Sequence, residues 1–404
     1  MQLQELAADE KGAISKPYGS AILREDYRSS GVPIVRGVNL ARGIFVDDGF
    51  VFIDTALADS MPGASLRSGD LVFTHRGSVG QVSMIPRRAK YERYATSTSQ
   101  VKARLDPFKA LPEFYYYWFQ SAAGRGSILQ SVSAVGVPGL VQPVDTVKRL
   151  LVPLLDLPDQ QAVVNVLGAI DEKILLNERT GVVIEELTRA KFLAAASREV
   201  PKAPVSFASI CVVGGGGTPR TTVSQYWDGD VCWATPTDVT ALSGPYLEGT
   251  ARSISDAGLA ACSSPLYPEG SILMTSRATI GAFAVAGRPM AVNQGFIVVN
   301  PLDKRLKWWI FHEMQSRVDE FVNQANGATF LELGRGKFKN LPVCLPDDAV
   351  MLRFCTEADE LHAAARNALI ESAQLAELRD ALIPALISGR LRVRDAEKQV
   401  EDVL

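Results

Sequence analysis

A twelve-residue stretch of this chain recurs in altered form. Gly-Asp-Leu-Val-Phe-Thr-His-Arg-Gly-Ser-Val-Gly fills positions 69–80, and Gly-Ser-Ile-Leu-Met-Thr-Ser-Arg-Ala-Thr-Ile-Gly fills 270–281. Four of the twelve positions are identical and six exchange like for like. Further matches keep an offset of 191: Ala134-Val135-Gly136 with Ala325-Asn326-Gly327, Lys148-Arg149-Leu150 with Lys339-Asn340-Leu341, and Glu186-Leu187 with Glu377-Leu378. Self-similarity on this scale means two copies of one architecture. The chain therefore reads as a globular unit and a long helix, twice over.

The 404 residues are enough for two or three domains with separate cores. No run of 18 apolar residues is present, so no membrane span is expected. The first residues, MQLQELAADEKG, lack the apolar core of a signal peptide, and a cytoplasmic protein is expected. Five cysteines are scattered without a CxxC pair, which argues against a zinc site or a disulfide framework. A net charge of −3 argues by itself against a nucleic-acid partner. Its distribution argues the other way. Residues 1–150 carry 18 Lys and Arg against 14 Asp and Glu, while residues 346–404 carry 7 against 12. Basic globular parts beside acidic helices suit DNA contact by the former and protein contact by the latter.

Strand-like runs rich in Val, Ile and Phe occupy 32–40, 71–77 and 79–85. Arg87, Arg88, Lys90 and Arg93, interleaved with Tyr91 and Tyr94, form the densest basic-aromatic cluster, a candidate phosphate-contacting loop. PEFYYYWFQSAAGRGSI, 112–128, predicts a core helix. Leu157-Pro158-Asp159 opens a helix running to about Ser197, with Asp159 as its expected N-cap. Its apolar residues recur every three or four positions, interrupted by Asn177 and Gly181. At 1.5 Å per residue it would span roughly 60 Å. Leu345-Pro346-Asp347-Asp348 opens its counterpart, which Pro384 should kink or end. Two apolar-faced helices in corresponding places are expected to pair antiparallel. The four glycines at 214–217 suggest a phosphate cradle, although a nucleotide P-loop would need a GK[ST] ending that is missing.

Catalytic constellations are not visible. Of three histidines, His75 lies in the repeated stretch, but its counterpart is Ser276. No GxSxG, HExxH or strand-borne GxGxxG occurs. A non-catalytic chain is expected.

The segments GGTPRTTVSQYWDGDVCWATPTDV, GSILMTSRATIG, AVNQGFIVV, LPDQQ and ISGRLRV together resemble the DNA-specificity subunit of type I restriction-modification systems. The likeness runs through nearly the whole chain. The first unit departs from it, with Lys16-Pro17-Tyr18-Gly19-Ser20 in place of the Gly-Gly-Thr-Pro opening. The resemblance implies an α+β fold. Two tandem target recognition domains (1–155 and 201–345) would alternate with two long antiparallel helices (156–200 and 346–404) in a pseudo-twofold arrangement. Each domain would read one half of a bipartite site in double-stranded DNA. The helices would set the gap and dock two methyltransferase subunits and, through them, motor-nuclease subunits. S-adenosylmethionine, ATP and magnesium would belong to those partners, with no cofactor on this chain.

Within that frame the candidate DNA-binding residues come from strand ends and the basic loop. In the first unit they are Arg36, Asn39, His75, Arg76, Arg87, Arg88, Lys90 and Arg93. In the second they are Thr218, Arg220, Thr235, Thr237, Asp238, Ser276 and Arg277. The shared Arg76 and Arg277 suit phosphate or the fold, whereas His75 against Ser276 is a difference suited to reading bases. Two other classes remain open at this point. One is a scaffold that binds protein instead of DNA, which would show no salt-dependent duplex binding. The other is a recognition part split from a single-chain methyltransferase-nuclease, for which S-adenosylmethionine binding would be diagnostic.

Overall fold

A computed structural model describes all residues except 18–20, 134–137, 198–202, 243, 328–330 and 402–404. Tyr18-Gly19-Ser20 and Ala134-Val135-Gly136, noted above, lie outside the described residues, as does the Pro201-Lys202 start of the link between the halves. The fold is α+β. It divides into two compact units, one of residues 1–174 with 373–404 and one of residues 175–372.

The first unit holds eight principal strands: β1 (Ile14–Ser15), β2 (Val32–Val35), β3 (Val51–Ile53), β4 (Ser65–Leu66), β5 (Leu71–Thr74), β6 (Val82–Met84), β7 (Tyr94–Thr96) and β8 (Gln100–Ala103). One antiparallel sheet has the order β1-β8-β5-β6 and a second has β3-β2-β7-β4, in which β2 and β7 run parallel. β5 is buried at all four positions, which explains its unbroken apolar run. The expected strand over 32–40 stops at Val35, and a 3-10 turn covers Gly37–Gly43.

The second unit repeats this plan with β9 (Cys211–Gly214), β10 (Trp227–Ala234), β11 (Tyr246–Leu247), β12 (Ser253–Ile254), β13 (Ile272–Thr275), β14 (Phe283–Ala286), β15 (Met290–Val292) and β16 (Phe296–Pro301). Its sheets run β9-β16-β13-β14-β11 and β12-β10-β15, with β10 parallel to β15 as β2 is to β7, and with a second parallel pair, β11 with β14, at the added edge. The registers superpose. Val35 pairs Thr96 as Ala234 pairs Val292, and Thr74 pairs Gln100 as Thr275 pairs Phe296. The repeated dodecapeptide is the central strand and its hairpin turn. Gly69, Gly77 and Gly80 have positive φ, and so do Gly270, Ala278 and Gly281. Glycine persists at two of the three positions because an L side chain is strained there.

Helix α1 (Pro112–Gln120) buries Phe114, Tyr115, Tyr117 and Phe119 and ends at Ser121, whose Oγ accepts from the Gly124 amide and starts a separate short helix. The expected single helix is thus two, broken at an extended serine. α2 (Leu157–Ser197) and α4 (Asp348–Ile387) are the two long helices, and α3 (Lys307–Ser316) is the tryptophan-bearing helix of the second unit. In the first unit Val163, Leu167 and Ile170 of α2 meet Leu382, Ile383 and Leu386 of α4 in the same core as the aromatic helix. Asp171 joins them by accepting from Arg379 Nη1 and Tyr117 Oη, both at 2.7 Å. In the second unit the partners run in opposite directions. Asn177 Nδ2 donates to Glu371 Oε2 at 2.7 Å and Lys191 Nζ to Glu357 Oε2 at 2.8 Å, so the helices pair antiparallel there. Asn177 is the polar interruption of the seam, and its bond fixes one register.

Two helix ends differ from expectation. Asp156, not Asp159, caps α2, because its Oδ1 accepts from the Asp159 amide at 2.9 Å. Pro384 does not end α4, which runs to Ile387. Gly389, at φ +70°, terminates it, with its amide bonded to Leu386 O.

The second core contains a buried polar chain. Tyr246 Oη lies 2.6 Å from His362 Nδ1, and His362 Nε2 lies 3.2 Å from His312 Nε2. His312 Nδ1 lies 3.1 Å from Gln315 Oε1. The His362 ring stacks on Trp308 at 3.5 Å. Burial pushes His312 down to about 4. Burial, helped by His312 and Lys307, pushes His362 down to about 3. No described helix is long and apolar enough to cross a membrane.

Two outcomes follow from this packing. A Cβ at Gly281 would lie 2.5 Å from Val318 Cγ1 at φ +89°. Gly281→Ala should therefore cost about 2 kcal/mol or more in urea unfolding. Both histidines titrate below their usual 6.5 in the folded chain, so the unfolded chain takes up protons first. Their contribution to stability is whole above about pH 6.5 and is lost as pH falls toward 4. The urea midpoint should fall more between pH 7 and pH 5 in the wild type than in His362→Gln, and equal slopes would reject this origin.

Candidate nucleic-acid interface

In each unit the same three strand ends converge. In the first they are the ends of β2, β5 and β7, which deliver Arg36, His75-Arg76 and Ser97-Thr98-Ser99. A cleft of about 490 Å³ opens there, lined by Arg36, Thr74, Arg76, Ser78 and the 97–100 turn. No carboxylate is among its described lining residues. In the second unit β10, β13 and β15 deliver Thr235, Ser276-Arg277 and Asn293-Gln294 to the equivalent place.

The expected site residues divide into exposed groups and groups spent on the fold. Asn39 is 1% exposed. Its Oδ1 accepts from the Arg36 amide at 3.0 Å, and its Nδ2 donates to Val46 O and Asp48 O. Asp238 does the same at the equivalent place, accepting from the Thr235 amide at 2.8 Å, Thr235 Oγ1 and the Ala251 amide. These two polar side chains, with Thr235, staple the turn after the strand. His75 is also buried, its Nε2 2.9 Å from Thr98 O, and burial holds its pKa below the usual imidazole value. Ser276 is buried, while Thr237 stands exposed.

The basic loop is largely neutralised. Arg87 pairs with Glu113 at 2.5 Å, Arg93 with Asp59 at 2.5 Å and Lys90 with Asp48 at 3.7 Å. Arg88 alone of the four has no ion pair among the described residues. In the second unit Arg277 pairs with Glu332 at 2.9 Å. Thr218 Oγ1 donates to Gln294 Oε1 at 2.6 Å, and Arg220 is exposed. Gln294 and the 97–99 turn were not singled out by sequence reading. The parallel pairing β2–β7 and β10–β15 would have flagged them, but that register is not visible in the residues.

The glycine run is not a phosphate cradle. A Cβ on Gly214 would sit 2.2 Å from Tyr267 Oη, and one on Gly216 1.8 Å from Val292 O. Tyr267 Oη donates to Gly215 O at 2.6 Å and Trp233 Nε1 to Gly217 O at 3.0 Å. The glycines let the chain lie flush against its neighbours. Among the described residues no group of three or more His, Cys, Asp or Glu could hold a metal ion.

Residues 200–371 match the family described as type I restriction modification DNA specificity domain. Residues 200–371 thus resemble a type I DNA-specificity domain. Among curated relatives, the type I restriction enzyme MjaIX specificity subunit of Methanocaldococcus jannaschii is 32% identical over 146 residues, 36% of this chain and 34% of that protein. The HindI specificity subunit of Haemophilus influenzae is 21% identical over 179 residues, 44% of this chain and 39% of that protein. Each match thus spans little more than a third of the relative's length. The solved type I S subunit from M. genitalium shares the fold, with a TM-score of 0.56 at 13% identity over 96% of this chain and 95% of that one. The specificity-domain match lies in the second unit, and the first unit shares with it the register of the central strands.

The caps give a direct test. Asn39→Ala should lower stability by about 1–2 kcal/mol, because it orphans the Arg36 amide. A full-stability Asn39→Ala in a chemical melt would show that the cap is dispensable.

Proposed function

We propose that the chain is the DNA-specificity subunit of a type I restriction-modification complex. Each unit reads one half of a bipartite target, and the helices dock adenine-N6 methyltransferase subunits and, through them, motor-nuclease subunits. The observation that carries this is the duplicated strand-end edge. Two units share one frame, yet present different side chains at equivalent places: Arg36 against Thr235, and Thr98 against Gln294. Guanidinium and amide groups make different hydrogen-bond forks to base edges, so one frame can read two different sequences. The chain itself is non-catalytic, and S-adenosylmethionine, ATP and magnesium act on the partner subunits.

Co-expression with a type I methyltransferase subunit in a methylation-free host, followed by single-molecule sequencing, tests this. Modified adenines should fall in a two-part motif with a fixed unspecified gap. Exchanging the strand-end residues of the first unit should alter only one half of that motif. A soluble complex that leaves DNA unmodified would move weight to a protein-binding scaffold.

A further inference from the structure

The two strand-end edges are not electrostatically equivalent. Register places Ser15 opposite Lys102 and Gly214 opposite Val298, so Lys16 corresponds to Gly215. Arg36 likewise corresponds to Thr235, and Arg76 to Arg277. The first unit thus has three cations where the second has one, and that one is held by Glu332. A different cation, Arg335, packs over Gly215 in the second unit. Arg76 is exposed and has no ion pair among the described residues. Lys16 is half-buried, and its ammonium pKa is lowered by burial and by Arg76. The same two cations, after burial itself, lower His75.

Polar groups in this cleft also lack partners. Thr74, 2% exposed, lines it with a buried Oγ1 that makes no hydrogen bond. Arg36 bonds Gly49 O through Nη2, but its buried Nε has no partner. Mutually repelling cations beside unused donors, with no carboxylate on the cleft lining, form a place where an anion relieves both costs.

We infer that the cleft of the first unit, lined by Thr74 and Arg76 with the charge of Lys16 acting on it from beside the lining, seats one backbone phosphodiester of the DNA and anchors that unit on the duplex. This rests on the DNA-reading function proposed above. It adds Lys16 and Thr74 to the contact set and gives Arg76 a positioning role, while Arg36 at the cleft edge keeps its part in reading bases.

The test is binding of the full chain to a random-sequence duplex by fluorescence anisotropy over a salt series, with thermal melts confirming that each variant is folded. The double variant Lys16→Gln/Arg76→Gln should lower the slope of log affinity against log salt by about 0.9, the value for one B-DNA phosphate. Arg305→Gln removes a charge just after β16, at the end of that strand opposite the Phe296 pairing, and should leave the slope unchanged. If the wild type binds with a steep salt dependence and the double variant keeps the full slope, the cleft is rejected while DNA reading stands. If the wild type shows no salt-dependent duplex binding, the DNA-reading function fails and takes this inference with it. If inorganic phosphate raises the melting temperature of the wild type but not the double variant, and the duplex slope is unchanged, the cleft serves a free anion and the phosphodiester assignment is wrong.

Discussion

The apolar seam between the long helices is what the largest core of each unit is built on. In the first unit Val163, Leu167 and Ile170 press on Leu382, Ile383 and Leu386, while the aromatic helix and the antiparallel sheet close over the same cluster. In the second, Ile184 and Phe192 share a core with Phe354, Ala358 and Ala365 and with the tryptophans of α3. Neither sheet could bury its inner face without that helical wall, because a small twisted sheet has one face too many for its own side chains. Polar contacts then select one register among several that the apolar stripe alone would tolerate. Asp171 with Arg379 and Tyr117 does so in one unit, and Asn177 with Glu371 in the other.

On that wall one sheet of each unit is fixed and carries the other, Val72 against Val35 and Leu66, and Leu273 against Ala234 and Val292, so the strand ends become a rigid rim. The parallel pairs β2–β7 and β10–β15 bring segments some sixty residues apart to one edge. The turns behind the rim are tied down by Asn39 and Asp238, which use the same i to i+3 bond. A rim held this firmly can exchange its outermost side chains with little consequence for the fold. That is the property a sequence reader needs, since its target varies while its frame must not.

The repeat, the long helices and the likeness to a specificity domain were legible in the residues, and each for a physical reason. Buried central strands tolerate only apolar exchange, and turns at positive φ hold on to glycine. The sites were less legible. Glycine at 214–217 looked like an anion cradle because close approach to a phosphate and close approach to Val292 or Tyr267 select the same missing Cβ. Arg87, Lys90 and Arg93 looked like a free basic patch because their carboxylates, Glu113, Asp48 and Asp59, lie elsewhere in the chain. Asn39, Asp238 and His75 looked like base readers because a polar side chain after a strand suits a cap as well as a contact. Lys16 was passed over since its meaning depends on Arg76, sixty positions later.

The first unit is discontinuous, taking in residues 373–404 as well as 1–174, whereas the second is one unbroken span. During synthesis the second unit therefore has all of its chain available before the first does. The half that leaves the ribosome first must wait, with the Val163, Leu167 and Ile170 side of α2 short of its partners, until Leu382 and Leu386 arrive. The order of translation and the order of closure are thus reversed. The early segment spends the intervening time with one side of a long helix open to water.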